Sequence, residues 1–307
     1  MRVIVLGSAA LGGFPQWNCG CPNCRGFREG TLKARKRTQS CIAISPEGER
    51  WYLIDASPDL AHQIEVTREL HASRLRESKI HAVLLTHAHP DHVLGLPAIG
   101  LGGVVGETRT LIYGTRRTKE YLLSKNTIFA EGIDEDNWVE ISLNKKEEIL
   151  VEGKPSGLVF EAFSVPHRPI SVKEEHFKEE LEGDTVGYRI EDENGKVLVY
   201  VPDIREVTAL ALRKMDEADV IIFDGTFYRD NELIKLGISS KTSEELGHIS
   251  IAGPNGSIEM LRDLNVKQKF YTHLNNTNPL IPEDSVERRL LQVEGFHVVS
   301  DGDVIDL

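Results

Sequence analysis

The sequence predicts a mixed α/β (α+β) fold, a four-layer αββα sandwich. Three observations predict it. Apolar, strand-like runs fill both halves of the chain, with helix-like segments between them. The second half repeats the theme of the first, and in both halves apolar runs end in histidine or aspartate. No linker separates the halves, so residues 1–307 read as a single domain whose two pseudo-symmetric halves meet near residue 150. With 40% hydrophobic residues over 307 positions, the chain has ample material for such a core.

The elements follow in order. Val3 to Gly7 is a buried strand. Ser40–Ser45 and Trp51–Asp55 are two more, joined by the turn "PEGE". Residues 59–78 have helical spacing and many charges. Ile80–Thr86 is a strand that delivers "HAHPDH", and "TLIYG" is another, followed by a helix at about 115–125. The acidic loop "AEGIDEDN" at 130–137 is exposed and is a candidate lid. Leu158–Val165 is a strand ending in Pro166-His167. "VGYRIEDENGKVLVYVPD" is a hairpin turning at Asn194-Gly195. Val220–Phe223 ends at Asp224, and Lys269–Thr272 ends at His273. Helices are expected at 205–216, 250–264 and 282–293, and the tail "FHVVSDGDVIDL" reads as a last hairpin.

Charge and hydropathy exclude several functions. The net charge is −12, and the one strongly basic run, Lys33 to Arg37, reads as a solvated face, so no nucleic-acid partner is expected. A small anionic substrate can still bind at local cations. The apolar runs are too short for a membrane span. "MRVIVLGSAALGG" has too short an apolar stretch for a secretory signal and fits a first strand with a glycine loop, so a cytoplasmic protein is expected. The oligomeric state is not written in the sequence.

The chemistry concentrates in "LTHAHPDHVLGLP", Leu85 to Pro97. In an extended segment, residues two apart project to one side, so His87 and His89 can reach one metal ion. Asp91 and His92 follow Pro90, which can start a helical turn, and they can reach a second ion. Imidazole and carboxylate ligands suit zinc, iron or manganese. Two ions need further ligands at strand ends, and His167, Asp203 and His273 stand there, with Asp224 as a competing acid. Asp55, in "LIDAS", is placed to support the metal loop by hydrogen bonding.

This layout resembles the metallo-β-lactamase superfamily from end to end. The resemblance implies that His87, His89 and His167 hold one ion, that Asp91, His92 and His273 hold the other, and that Asp203 bridges them. It makes Asp91 and Asp203 the acids expected at the centre of catalysis, and leaves Asp224 as a group supporting the pocket. His62, His71, His81, His176 and His297 fit no pattern.

"NCGCPNC" sets Cys19, Cys21 and Cys24 in six positions, which suits a structural zinc more than a disulfide framework. A fourth ligand is needed. Cys41 sits in an alternating strand, and His248 in "LGHIS" is the other candidate. A similar cysteine triplet in related cyclic-phosphate phosphodiesterases of phosphonate breakdown takes a distant histidine, which favours His248. In transfer-RNA-processing relatives a histidine at this place is instead catalytic.

"LGSAALGGFPQWNCGCPNC", "FDGTFYRDNE", "GHIS" and "THLNNTNPLIPEDS" together are similar to the pyrroloquinoline quinone (PQQ) biosynthesis protein B family, over nearly the whole chain. The resemblance implies a cytoplasmic role in making PQQ, acting on a cross-linked Glu–Tyr intermediate, with an iron-dependent hydroxylation as the implied step. Many members of that family have a degraded motif close to "TDAQIDH", whereas this chain has the complete "THAHPDH". A complete set suits two divalent ions and hydrolysis. Asn275, Asn276 and Asn278 follow His273 and are candidates to orient a small substrate or PQQ intermediate, as is Arg168 beside His167. Two further readings stand beside the first: a dinuclear phosphodiesterase for a small cyclic phosphate, and a non-catalytic PQQ carrier.

Overall fold

The computed structural model describes residues 1–100, 110–125, 127–130, 132–169 and 177–307. Among the described residues, fourteen strands form two seven-stranded sheets. The first holds β1 (Arg2–Gly7), β2 (Cys41–Ser45), β3 (Trp51–Ile54), β4 (Ile80–Leu84), β5 (Leu111–Gly114) and β6 (Trp138–Glu140). The second holds β7 (Lys146–Val151), β8 (Lys154–Ser164), β9 (Val186–Asp192), β10 (Val197–Val201), β11 (Val220–Asp224), β12 (Gln268–Thr272) and β13 (Phe296–Val298). The last strand, β14 (Val304–Asp306), returns to the edge of the first sheet beside β1.

Both sheets share one pattern of pairing. Reading β14-β1-β2-β3-β4-β5-β6, three antiparallel neighbours are followed by three parallel ones. Reading β7 to β13 gives the same succession. The parallel part of each sheet is apolar on both faces, as β4 (IHAVL), β10 (VLVYV) and β11 (VIIFD) show, because helices cover its outer side.

Three apolar layers hold the assembly. The middle one lies between the sheets and joins Val3, Ile44, Tyr52 and Leu84 to Phe160, Tyr188, Tyr200 and Ile222. A second backs the first sheet with Leu53, Trp51 and Val83 against Leu60, Leu122 and Phe129. The third backs the second sheet with Val199, Phe223 and Tyr271 against Met215, Leu261 and Leu291. This is the αββα sandwich. Among the described residues no helix is long and apolar enough to cross a membrane.

Several elements differ from expectation for local reasons. The tail is not a hairpin: β13 pairs with β12 and β14 with β1, so its two strands close different sheets. The turn between them is fixed across the sandwich by Val299 N–H to Tyr271 O and by Gly302 N–H to Val5 O. The helix expected at 59–78 is only Leu60–Val66, because extended Thr67 ends it and bonds back to Gln63 O through its hydroxyl. The one expected at 250–264 shrinks to Ser257–Leu261, since Gly253, Pro254 and Gly256 delay its start. The helices at Ala209–Met215 and Val286–Val293 begin at Thr208 and Ser285, each side chain accepting a backbone N–H three residues on. The acidic loop at 130–137, described apart from residue 131, is pinned by Asp134 and Asn137 and does not line the metal pocket described below. His176 lies outside the described residues.

Candidate metal centre

The ligand-type residues come from strand ends on one side of the sandwich. Beyond β4, Tyr188 donates its hydroxyl to Leu85 O and fixes the exit of the strand. His87 and His89 follow in extended chain, and Pro90 opens a one-turn helix, Pro90–Val93, that carries Asp91 and His92. His167 follows β8, Asp203 follows β10 and His273 follows β12. All seven are buried. This is the carboxyl edge of the parallel strands, where open α/β sheets place their ligands.

Two constellations result. His87 Nε2 lies 2.8 Å from His89 Nδ1, and His167 Nε2 lies 3.2 Å from the same atom. On the other side, His273 Nε2 is 3.3 Å from His92 Nε2 and 3.2 Å from Asp91 Oδ2. Asp203 stands between them. Its Oδ2 is 3.1 Å from His92 Nε2, and its Oδ1 is 3.8 Å from His167 Nε2 and 3.7 Å from His273 Nε2. Ligands about 2.0–2.2 Å from a tetrahedral ion sit roughly 3.3–3.6 Å from one another, and these spacings bracket that range within about half an ångström. Among the described residues the buried Asp203 Oδ2 makes no well-aligned hydrogen bond, its near neighbour being His92 Nε2, which fits an oxygen shared with that imidazole around a cation. The residues present therefore fit a divalent metal.

Each imidazole is oriented by its far nitrogen. His87 Nδ1 meets Thr86 Oγ1 at 2.9 Å, and the Thr86 hydroxyl in turn reaches Asp55. His92 Nδ1 donates to Asp55 Oδ2 at 2.7 Å, and His167 Nδ1 to Gly247 O at 2.6 Å. His273 Nδ1 meets Thr226 Oγ1 at 2.8 Å, and that hydroxyl donates to Asp224 Oδ1. In these four residues Nε2 is left toward the centre. Asp55 and His273 adopt left-handed backbone, with φ of 66° and 58°, which few non-glycine residues tolerate without surrounding support. Gly247 is also left-handed, and a Cβ there would lie 2.8 Å from His167 Nδ1.

The electrostatics divide the two groups. Burial drives His87 and His167 well below the ordinary imidazole range, and pushes His89 down to about 3, so the neutral form that binds metal is favoured. Burial also acts on His92 and His273, but the carboxylates of Asp203, Asp55 and Asp91 outweigh it at His92, and those of Asp203 and Asp91 do so at His273, and hold both up. Burial alone would raise the Asp203 carboxyl, yet His273, His92 and His87 hold it well below the usual range. The second group is thus biased toward a protonated form, whose proton a cation would displace.

Two expected placements are corrected. His248 does not complete the cysteine cluster. Its Nδ1 lies 2.8 Å from Asp224 Oδ2, and its ring packs beside those of His167 and His273. The reason is that the loop after β11 turns toward the metal residues: Asp224 is shared among Ile204 N–H, Thr226 and His248. Asp224 thereby has its oxygens engaged, and Asp203 keeps the central position. The three cysteines do converge, Cys21 and Cys24 on the buried helix start at Pro22–Arg28, but the group facing them is Asn276. Its side-chain amide lies 3.0, 3.4 and 3.3 Å from Cys19, Cys21 and Cys24 Sγ. Cys41 is buried in β2 with its thiol on Asp55 O. Asn278 is also turned away from substrate, donating to Gly225 O and Thr226 O.

A cavity of about 360 Å³ opens over the centre. His89, Asp91, Asp203, His248 and His273 form its floor. Leu11, Phe227, Leu233, Ile238 and Leu246 form apolar walls, and Arg168, Asn275, Asn276 and Thr277 supply polar ones. Arg168 Nε has no hydrogen-bond partner among the described residues. Thr86, Thr226, Gly247 and Phe227 escape a reading of the sequence. Thr226 alone had a signal, since it stands two residues after a strand-end acid.

A family model described as a β-lactamase superfamily domain matches residues 50–274. The coenzyme PQQ synthesis protein B of Methylobacillus flagellatus is 39% identical, over 98% of each chain. The crystal structure of Zn²⁺-bound PqqB from Methylobacterium extorquens superposes with a TM-score of 0.91 at 39% identity, covering all of both chains. A diphosphatase from the PhnP family superposes with a TM-score of 0.69 at 20% identity, covering 100% of this chain and 97% of that one, which speaks to the fold alone.

Proposed function

From the premise that the chain belongs to the coenzyme PQQ synthesis protein B family, within the β-lactamase superfamily, we propose that it is a metal-dependent enzyme acting on a small intermediate of PQQ synthesis. The observation that carries this reading is the convergence of His87, His89, His167, Asp91, His92, His273 and Asp203 beneath a pocket of small-molecule size. In this reading His87, His89 and His167 hold one divalent ion, Asp91, His92 and His273 hold a second, and Asp203 lies between both. The ions, zinc, iron or manganese, supply Lewis acidity and activation of oxygen or water. The protein's own residues do the rest. Arg168 offers a guanidinium to an anionic group, and Asn275 offers a polar contact. The apolar walls exclude water. The reaction we favour is hydroxylation or processing of the Glu–Tyr-derived intermediate. Oxygen uptake by the iron-loaded protein with that intermediate tests it; no uptake with full metal occupancy would count against it.

One observation favours a second reading, a phosphodiesterase or other hydrolase. His248 has its Nδ1 held by Asp224 at 2.8 Å, which frees Nε2 to hold or release a proton over the pocket. Turnover of bis-p-nitrophenyl phosphate that falls in His248→Ala and survives in Cys19→Ser would support it. Full metal occupancy without either activity would leave the carrier reading.

Cys19, Cys21 and Cys24 are read as a structural zinc site with Asn276 as the fourth group. An amide nitrogen does not ligate zinc, but the two ends of a carboxamide are interchangeable by rotation, and the turned amide brings Oδ1 to the sulfurs. Burial pushes the Cys21 thiol up to about 11, so a bound cation is what would favour its thiolate form. A cluster of free thiols also suits a reducing, cytoplasmic site of action.

A further inference from the structure

Two segments that carry the family resemblance, "FDGTFYRDNE" and "NNTNP", meet in the structure. Each residue of Asn275–Asn278 has a distinct partner. Asn276 faces the cysteines, and Asn278 donates to the backbone of Gly225 and Thr226. Thr277 donates its hydroxyl to Oε1 of the buried Glu232, the last residue of the first segment. Asn275 donates its Nδ2 to that same Thr277 hydroxyl. Asn275 and Thr277 both line the metal pocket, whereas Glu232 does not.

We propose that Glu232 is a positioning residue that decides which end of the Asn275 amide faces the metal pocket. The direction of each hydrogen bond follows from its neighbour. Glu232 Oε2 accepts the Tyr228 N–H at 2.9 Å, and a backbone N–H can only donate. Oε1 is therefore the oxygen left for Thr277. When Glu232 is ionised, Oε1 accepts the Thr277 hydrogen, the Thr277 oxygen accepts from Asn275 Nδ2, and Asn275 Oδ1 is left toward the pocket. No donor among the described residues occupies that oxygen. The pocket then recognises a hydroxyl or N–H donor on the substrate. A neutral group at position 232 reverses the chain. It must keep an oxygen toward Tyr228 and present a hydrogen to Thr277. The Thr277 hydroxyl then donates to Asn275, and the amide turns its NH₂ into the pocket.

The surroundings suit such control. The recorded partners of the carboxylate are the backbone N–H groups of Tyr228 and Arg229 and the Thr277 hydroxyl, and the Arg229 guanidinium lies over the Tyr228 ring instead. Burial without a compensating cation raises the Glu232 carboxyl to about 7. Substitution or acidification can thus reach the same reversed state. The role in recognition rests on the pocket being the substrate site. The hydrogen-bond chain itself does not, and the test reads the chain.

The test is the side-chain amide signal of Asn275 in ¹⁵N-labelled, zinc-loaded protein at pH 8, identified by its loss in Asn275→Ser. Glu232→Gln is expected to shift this signal and speed its exchange with water about tenfold, as an internal hydrogen bond is traded for solvent. Thr277→Val removes the link, so adding Glu232→Gln in that background should change nothing further. Thr277→Ser keeps the hydroxyl and should behave as the parent. Backbone signals of the His87–His92 loop report that the fold is intact in every variant. An Asn275 signal unmoved by Glu232→Gln, or moved equally with Thr277→Val present, overturns the proposal.

Discussion

In the proposed two-ion arrangement, both sites depend on Asp203. It is buried, and its two oxygens reach His92 on one side and His167 on the other. Asp203→Asn should abolish binding at both sites while leaving the cysteine zinc in place, which elemental analysis reads directly. Asp55 acts one step out, through His92 and Thr86. Asp55→Asn should weaken metal binding about 10–100-fold, as loss of a ligand-orienting group does, measurable by competition with a chelator. Gly247→Ala adds a Cβ 2.8 Å from His167 Nδ1 on left-handed backbone. It should cost roughly 1 kcal/mol of stability and selectively weaken the ion held by His87, His89 and His167. A metal content and melting curve equal to the parent would refute that. At Glu232 the folded carboxyl titrates near 7, against an unfolded value near 4.5. Between the two the folded protein holds more protons, so this residue's contribution falls as pH rises through that window. Glu232→Gln should therefore flatten the loss of stability between pH 5 and pH 8 in denaturant titrations. At this scale the sequence was most legible where ligands are contiguous: His87, His89, Asp91 and His92 need no tertiary information to be grouped. His248 and Asn276 were not legible, because which of two polar residues faces the cysteines depends on how the loops after β11 and β12 cross, and no local pattern encodes a crossing.

Among the elements, strands were easier to read than helices. β2, β3, β10 and β11 are short, mostly apolar runs buried on both faces, which leaves few alternatives. β7, with the sequence KEEILV, carries its charges outward at a sheet edge and gives no such run. The tail misled because two short strands around a turn look alike whether they pair with each other or with two different sheets. Only the Tyr271 and Val5 contacts decide it. The loop from Cys19 to the helix Pro22–Arg28 and the segment Asn275–Asn278 meet at the cysteine sulfurs, and Asn23 adds bonds to Asn276 O and Asn278 O. Cys24→Ser should loosen both segments together. Hydrogen–deuterium exchange should show faster exchange at 18–28 and 275–278, with β4 and β10 unchanged. Loosening of one segment without the other would mean they are not joined by a shared ion.

At the scale of the whole molecule, the two sheets with matching pairing patterns leave one edge where strand ends from both converge. That convergence puts residues more than a hundred positions apart within one coordination shell, and makes metal binding and folding a linked equilibrium. The acidic net charge and the small pocket are consistent with a small-molecule substrate. Because the neighbouring carboxylates bias His92 and His273 toward the protonated form, metal uptake should release protons and weaken as pH falls. The most direct test of the account is the metal content of the purified protein after chelation and refilling, compared with Asp203→Asn and Cys24→Ser. The account predicts two ions per chain at the histidine–aspartate centre and one zinc at the cysteines. Asp203→Asn should lose the first two and Cys24→Ser only the last. A refilled parent protein that holds a single ion, lost in Cys24→Ser and kept in Asp203→Asn, would contradict it.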